Sequence, residues 1–450
     1  MFVRIKNVFV SLRQILCIRY SIEKFITMLE ELTAKNFLSF RDEINLSFEA
    51  TNDTIGEGQV VTTMPDGKRL LRLGVIYGAN ASGKTNVLVA LSGIKHFWEF
   101  MPKDIDAGTG WIPFRFDTET PNIPTELSLK FYAKGKRFWY ILRVNEHQVL
   151  EEKLSYYATV RPTMLFHRTL VEGRLQLTVN PAVNKLSDVE LQQLQINCFD
   201  NMSFLAARKK VNIVLSHIDD AREWMRYQVF ETIAPDLNMF GYAKTRLEDN
   251  PELKPYLLKK LSSADFNVSG IQTERLASDI PSDMIQMITN NNDLSEEAKR
   301  NILTDIQAKF EHTVHNERGE EKYILEDELE SRGTRRLIGI ESALYGANKK
   351  GALLPIDEIE TSMHPALIEH VLYDFLKTGG ESQLLVTTHF DYLLELVNDL
   401  IRTDCVWFTE KGDDGATTLY SLAEFAGLNK IRSLQRAYRG GRFGATPNID

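Results

Sequence analysis

Cysteine is scarce in this sequence of 450 residues, and no apolar run approaches the length of a membrane helix. The three cysteines, Cys17, Cys198 and Cys405, lie far apart and form no CxxC pair. This spacing argues against a disulfide framework or a zinc site, and it fits a reducing cytoplasm. A membrane helix needs about 20 consecutive apolar residues, so the sequence predicts no membrane-spanning segment.

Excess positive charge is also lacking, because the formal net charge is −9 at pH 7. A surface of this sign does not attract nucleic acid as a whole, so a contact with DNA or RNA needs a local basic patch. Such patches are typical of solvated faces, of nucleic-acid contacts and of sites that dock a partner protein. The longest basic run without an intervening acid consists of Lys430, Arg432, Arg436, Arg439 and Arg442.

The chain is long enough for two or three structural units, and its composition changes along its length. Residues 28–183 combine strand patterns with a glycine-rich loop, and residues 316–450 alternate short apolar runs with helical stretches. Helical periodicity broken by prolines dominates residues 184–315. These patterns predict an α/β protein with a mostly parallel sheet, an antiparallel sheet and a helical insertion. The basic, apolar residues 1–27 are interpreted as an extension before a native start at Met28; a poor signal peptide and an amphipathic surface helix are the alternatives.

The glycine-rich loop matches the P-loop pattern Gly-x4-Gly-Lys-Thr in full, and it lies between a predicted strand and a predicted helix. Glycines allow backbone N–H groups to converge on phosphate oxygens, and the helix N-terminus adds a favourable dipole. We expect Lys84 to reach the β- and γ-phosphates of ATP and the Thr85 hydroxyl to bind Mg²⁺. The nucleotide-binding residues predicted here are Gly78, Ala79, Asn80, Ala81, Ser82, Gly83, Lys84 and Thr85.

Two later apolar strands end in polar residues. The strand over 353–356 leads into Asp357 and Glu358, which resembles a Walker B motif. Asp357 would hold the Mg²⁺ shell, and Glu358 would orient and activate the attacking water. The next strand ends at His389, which could donate a hydrogen bond to the γ-phosphate. Two solvated acids after a strand, or a single structural histidine, would be ordinary if each occurred alone. Because these residues follow Lys84 in the chain, each at the end of a strand, the sequence favours a catalytic set of Lys84, Glu358 and His389.

The segment Glu-Ser-Arg-Gly-Thr (330–334) precedes a helical pattern. In the simpler interpretation, Ser331 caps that helix. In the functional interpretation, the Ser331 hydroxyl, the Gly333 N–H group and the helix dipole complete the nucleotide site of a neighbouring subunit.

Together these segments resemble the ABC-type P-loop ATPases of the RecF/SMC-related group. The sequence is more closely similar to the bacterial AAA-15/AAA-21 ATPases, which occur in antiphage defence systems of the abortive-infection, Septu-like, PARIS-like and retron-associated kinds. The resemblance rests on segments 330–334, 356–365 and 387–389 in that order. Asn-Phe-Leu-Ser-Phe (36–40) and the ending over 438–447 are similar to this group as well.

This resemblance implies an ABC-type head that binds Mg²⁺-ATP, assembles head-to-tail into a dimer or higher oligomer, and hydrolyses ATP to ADP and phosphate. Ser331 and Gly333 would close the site from the partner subunit, and Ser362 lies in the stretch that resembles the D-loop. No Q-loop glutamine is assigned. The residues that would act on one ATP are Lys84, Thr85, Asp357, Glu358 and His389.

No nuclease, protease or transferase motif accompanies these segments. A cluster at His312, His315, Asn316 and Glu317 superficially suggests a metal or nuclease site, but an ordinary polar loop is the simpler interpretation. We therefore expect ATP-driven head closure to gate a separate effector, foremost a nuclease, in antiphage defence. The alternatives are a RecF-like DNA-maintenance ATPase, a small-molecule P-loop kinase and a slow nucleotide-sensing scaffold.

Overall fold

The computed structural model of the protein describes residues 26–446, apart from 279, 292 and 293 and the side chain of Glu297. The predicted extension over 1–27 therefore falls almost entirely outside the described residues, as do Cys17 and the last four residues. No helix in the described part of the chain is both long and apolar enough to cross a membrane.

A five-stranded sheet, in the order β14-β15-β5-β16-β17, forms the centre of the fold. The first four strands are parallel, and β17 pairs with β16 in the antiparallel direction. Every residue of β5, β14 and β15 is buried, which explains why these strands appear in the sequence as continuous apolar runs. The strands of this sheet are β5 (Leu73–Gly78), β14 (Leu353–Ile356), β15 (Gln383–Thr388), β16 (Val406–Lys411) and β17 (Thr417–Ser421).

A proline lies within β14, close to the edge of this sheet. Segment 229–233 pairs with the outer side of β14 through two isolated bridges. Ile233 donates its N–H to the Pro355 carbonyl at 3.0 Å, so the Pro355 nitrogen faces the same segment. The missing N–H interrupts only this short outer ladder, while β15 pairs with β14 in continuous register on the other side. Proline is tolerated in such near-edge positions.

The antiparallel sheet predicted for the first half of the chain has seven strands in the order β10-β9-β8-β7-β6-β1-β2. A two-stranded ladder of β3 and β4 accompanies it. The bounds of these strands are β1 (Met28–Lys35), β2 (Ile44–Ser47), β3 (Val61–Thr63), β4 (Arg69–Leu71), β6 (Thr125–Ala133), β7 (Lys136–Val144), β8 (Val149–Tyr157), β9 (Pro162–Val171) and β10 (Arg174–Val179).

The sequence predicts one strand over 70–77, but the structure divides it into β4 and β5. Arg72 separates the two and is fully buried. Its guanidinium donates to the carbonyls of Gln59, Leu376 and Ser382 and stacks 4.6 Å from the centre of the Phe375 ring. Its Nη2 also donates to the Phe375 carbonyl and the Ser382 hydroxyl, so every nitrogen of this internal guanidinium has a partner where the chain crosses between the two sheets.

The helix that follows β5 packs against both sheets. Its Trp98 ring contacts Tyr140 of β7, with ring centres 4.8 Å apart, and Phe131 of β6 at 6.1 Å. The helices are α1 (Lys84–Glu99), α2 (Asp188–Asn197), α3 (Phe204–Ala207), α4 (Ser216–Gln228), α5 (Met239–Asp249), α6 (Leu253–Ser263), α7 (Ser282–Thr289), α8 (Glu296–Leu303), α9 (Arg332–Lys350), α10 (Pro365–Lys377) and α11 (Leu434–Arg439).

The segment predicted as a helical insertion, 184–315, is helical from α2 through α6, but two strands follow, with the short helices α7 and α8 between them. β11 (Val268–Ala277), β12 (Thr304–Asn316) and β13 (Gly319–Glu326) form a separate antiparallel sheet. Within β12 the side chains of residues 306, 308 and 310 are buried, while the residues between them are polar. Buried and polar residues alternate over only a few positions, and α7 and α8 separate β12 from its partner β11, whereas β13 follows β12 directly.

Candidate functional site

The loop from Gly78 to Lys84 is held in place by threonines of β16 and β17. A Cβ atom at Gly78 would lie 2.4 Å from the Thr409 hydroxyl, and one at Gly83 would lie 2.6 Å from the Thr417 hydroxyl. The Ser82 hydroxyl pairs with that of Thr409 at 2.6 Å. Thr417 donates to the Ser82 carbonyl at 2.8 Å. Glycine is therefore required at both ends of the loop, which leaves a concave surface that fits a phosphate group.

Lys84 lies across this loop and is only 5% exposed. Its ammonium group donates to the carbonyls of Gly78 and Ala79, each at 2.9 Å, and lies 3.3 Å from Nδ1 of His389. Burial lowers the pKa of Lys84, while the carboxylates of Glu358 and its neighbours act in the opposite direction. The ammonium is thus held where it can approach an anion bound by the loop.

A chain of hydrogen bonds links the start of α1 to the ends of β14 and β15. The Thr85 hydroxyl donates to Oδ2 of Asp357 at 2.9 Å, and the Thr387 hydroxyl donates to Oδ1 of the same carboxylate. Thr387 also accepts from the Glu358 N–H group at 2.9 Å. Adjacent parallel strands bring their carboxyl ends to one edge of the sheet, which explains this convergence. A threonine hydroxyl beside a carboxylate is the oxygen donor set that Mg²⁺ prefers, so these residues fit that ion.

Glu358 and His389 face each other across the cavity formed by the loop. Oε1 of Glu358 lies 3.4 Å from Nε2 of His389, and the two side chains are 41% and 33% exposed. Glu358 has a φ of +47°, in the left-handed region that costs a non-glycine residue about 1 kcal/mol. The cavity, of about 490 Å³, is lined by Ser39, Asn80, Ala81, Ser82, Gly83, Lys84, Thr85, Asn86, Glu358, His389 and Lys411.

Ser331 and Gly333 lie on a different surface. Neither Ser331 nor Gly333 is among the described residues that line the phosphate-loop cavity. The Ser331 hydroxyl accepts from the Thr334 N–H at 3.0 Å and so caps α9, while the residue stays exposed. A Cβ atom at Gly333 would lie 3.2 Å from the Ser362 carbonyl, so Gly333 and Ser362 are neighbours. The structure therefore groups the signature-like segment with Ser362 and not with the phosphate loop.

Several residues around the cavity were not predicted as site residues from the sequence. Lys411 lies at the end of β16, with its ammonium 5.6 Å from the Phe116 ring. Ser39 accepts a hydrogen bond from Asn86 at 2.7 Å, and its hydroxyl lies 2.9 Å from the hydroxyl of Thr417. The only signal for Ser39 was its position in the Asn-Phe-Leu-Ser-Phe segment.

The other clusters noted in the sequence have ordinary partners or lie at the surface. His312 is on β12, and its Nε2 lies 2.6 Å from Oε1 of Glu330. No group of three or more metal-ligating side chains occurs among the described residues. The basic run 430–442 is exposed, and Arg439 in it pairs with Asp391.

The fold and the site define a P-loop nucleotide-binding protein of the α/β class. More specifically, the chain belongs to the family described as "AAA domain, putative AbiEii toxin, Type IV TA system", which it matches over residues 73–187 and 226–395. The P-loop ATPase class inferred from the sequence is thereby confirmed. No curated protein matches the chain.

Three solved structures that are similar to this chain are heads of SMC proteins. One is the SMC head domain from Thermotoga maritima, with 13% identity and a TM-score of 0.40, covering 87% of this chain and 98% of that chain. Another is the SmcHead bound to the C-winged helix domain of ScpA, with 13% identity and a TM-score of 0.40, covering 91% and 99%. A third, derived from Pyrococcus furiosus, is an Smc head domain with an extended coiled coil bound to the C-terminal domain of ScpA; it has 12% identity and a TM-score of 0.37, covering 93% and 99%.

Proposed function

We propose that this protein is a Mg²⁺-dependent ATPase that acts as a head-to-tail dimer and gates a separate effector, foremost a nuclease, in antiphage defence. The observation that supports ATP hydrolysis is the convergence of a phosphate loop, a paired threonine and aspartate, and a glutamate facing a histidine around one cavity of about 490 Å³. Membership of an AAA-domain family supports the same activity.

In this mechanism the loop N–H groups and the Lys84 ammonium bind the phosphates. Thr85 and Asp357 would hold Mg²⁺, which neutralises developing charge on the phosphate oxygens when it is bound. Glu358 orients a water molecule towards the γ-phosphate and accepts its proton. His389, which lies beside both Lys84 and Glu358, donates a hydrogen bond to the γ-phosphate.

The dimer is supported by the exposure of the signature-like segment. Ser331 is exposed at the start of a 19-residue helix whose positive end is suited to an anion. Since neither Ser331 nor Gly333 lines the cavity among the described residues, a second subunit would have to bring them to it. ATP binding would then join two heads, and hydrolysis would release them.

The Glu358→Gln variant tests the hydrolysis step. It should bind ATP as tightly as the wild type but turn it over at least about 100-fold more slowly, because general-base catalysis contributes that much or more. Labelled-ATP titration and phosphate release measure the two quantities. Glu172→Gln, in the exposed turn between β9 and β10, is the matched control and should behave as the wild type. Equal turnover by Glu358→Gln and the wild type would refute the assignment, and negligible wild-type turnover would favour a nucleotide-sensing scaffold.

Gating is tested with a purified partner nuclease. If ATP-driven closure controls the effector, nuclease activity should differ between mixtures containing wild-type and Glu358→Gln protein. Equal activity in the two mixtures would refute gating and leave the ATPase assignment standing.

A RecF-like DNA-maintenance ATPase is the second candidate, because the basic run near the C-terminus is exposed. Arg432 and Arg436 have no ion-pair partner among the described residues, whereas Arg439 pairs with Asp391. This function predicts DNA-stimulated ATP turnover and salt-sensitive DNA binding that decreases in Arg432→Gln and Arg436→Gln. If DNA neither binds to the protein nor changes its ATP turnover, the DNA-maintenance function is excluded.

A further inference from the structure

A second polar cavity, of about 400 Å³, lies at the start of α9 and shares no lining residue with the phosphate-loop cavity. Three arginines contribute to its wall, together with the turn that contains Ser362. Among the described residues that line it, Asp236 is the single acid, and it is exposed. The polar side chains of the wall are Asp236, Asn238, Arg332, Arg335, Arg336, Thr361 and Ser362.

Arg336 is the unusual member of this wall, because it is only 7% exposed and yet poorly bonded. Its Nη1 lies 3.5 Å from the carbonyls of Ala234 and Leu237, longer than an ordinary hydrogen bond. Its Nε and Nη2 atoms are buried and have no partner in the described part of the chain. Burial lowers the pKa of Arg336, and no described carboxylate pairs with it.

The other deeply buried arginines are better satisfied. Arg402 pairs with Asp404, with Nη2 and Oδ2 2.6 Å apart, and Arg168 lies 3.7 Å from the Glu152 carboxylate. Arg72 has no acid partner, but all three of its guanidinium nitrogens donate hydrogen bonds. A buried cation without such partners costs free energy, and an anion bound in the cavity beside the Arg336 side chain would reduce that cost.

We propose that this cavity binds a phosphate group, supplied either by inorganic phosphate or by a small phosphorylated molecule, in addition to the ATP bound at the phosphate loop. Guanidinium groups bind phosphate through paired N–H donors, and Arg335 offers a second such group beside Arg336. Asn238 caps α5 through Oδ1, which accepts from Gly241 at 3.1 Å, so its amide NH₂ is a further donor.

The form of the cavity favours a small ligand over a polynucleotide. A volume of about 400 Å³ is in the range of sites that hold small molecules. The Thr361 and Ser362 hydroxyls lie on the same wall, and the start of α9 adds the positive end of a long helix.

A bound phosphate would join two elements of the proposed ATPase. The arginines belong to α9, which begins directly after Ser331. Thr361 belongs to the turn after β14, where its N–H donates to the Glu358 carbonyl at 3.0 Å. The ligand would therefore fix the position of Ser331 relative to Glu358, which makes the cavity a regulatory site. This regulatory role rests on the proposed ATPase function, but phosphate binding itself does not.

Calorimetric titration in chloride buffer of constant ionic strength tests the site, with inorganic phosphate and AMP as separate ligands. The full-length Lys84→Ala protein is used to weaken the phosphate loop. It should bind one ligand per chain, at the arginine-lined cavity. Tighter binding of AMP identifies a phosphorylated small molecule as the source, whereas equal binding identifies free phosphate.

Adding Arg336→Met or Arg335→Gln to Lys84→Ala should weaken binding at least tenfold, and adding Arg161→Gln, an exposed arginine, should not. Arg335→Gln decides the matter if Arg336→Met fails to fold, because Arg335 is half-buried and has no ion pair among the described residues. No binding to Lys84→Ala, or binding unaffected by both arginine changes, would overturn the proposal.

Two further results separate this site from the ATPase. ATP affinity retained in Lys84→Ala, together with phosphate binding that Arg336→Met removes, would contradict the phosphate-loop assignment and retain the arginine site. Concentration-dependent dimerisation that requires Arg336, without phosphate binding, would show that a second copy supplies the anion and would refute the proposal.

Discussion

Replacing Gly339 by alanine should destabilise the protein, although alanine is the better helix former. Gly339 lies in the middle of α9, where it crosses the start of α5. An added Cβ would lie 2.4 Å from Cβ of Met239 and 2.8 and 2.9 Å from its backbone C and O atoms. Backbone atoms cannot rotate away as the end of a side chain can, so one of the two helices must shift.

The expected size follows from two opposing effects. Alanine favours a helix over glycine by about 1 kcal/mol. Overpacking of a dense core costs up to about 3 kcal/mol, and the upper part of that range applies because the contacts include backbone. The net loss of unfolding free energy is then about 2 kcal/mol. Because Ser331 caps α9, ATP turnover should also fall.

Gly346→Ala, in the same helix, is the matched control. A Cβ there would meet its nearest atom, Cε2 of Phe230, at 3.5 Å, an ordinary contact distance. This variant should gain about 0.5 to 1 kcal/mol from helix propensity. Urea unfolding followed by circular dichroism measures both variants. If Gly339→Ala raised the unfolding midpoint as Gly346→Ala does, the close approach of α5 and α9 would be wrong.

Three further predictions concern the proposed ATPase site. Lys84→Ala should abolish ATP binding in a fluorescence titration, and retained affinity would contradict the role of the loop. Ser331→Arg should keep ATP binding but prevent ATP-dependent dimerisation, as measured by light scattering; an intact dimer would contradict the signature assignment. Thr387→Val removes the hydroxyl that bridges Asp357 and the Glu358 N–H. Loss of that bridge should lower turnover about tenfold with little effect on ATP affinity, and a wild-type rate would show that the bridge is dispensable.

The phosphate loop and the residues after β14 and β15 could be predicted from the sequence because their chemistry is local. A strand, a glycine loop and a helix follow one another in a short segment, and Asp357 and His389 each come directly after a buried apolar run. The parallel pairing of these strands then brings Thr85 within 2.9 Å of Asp357, as the motifs require.

The supports of the site were decided by tertiary structure. Thr409 and Thr417 hold the loop from more than 300 residues away, and Lys411 reaches the cavity only because β16 pairs with β5. Isolated threonines and lysines on strands have no pattern that distinguishes them from surface residues. The strands β11 to β13 are a similar case. Their buried and polar residues alternate over only a few positions, so their pairing in the structure is what identifies them as a sheet.

The sequence by itself therefore determined the fold class, the phosphate loop and the polar residues at the strand ends, because local patterns encode them. Tertiary structure decided which distant side chains enclose the loop, why Gly339 must be glycine and where Arg336 lacks a partner. These properties depend on contacts between residues far apart in the chain, such as Gly339 with Met239. No local period or motif records such contacts.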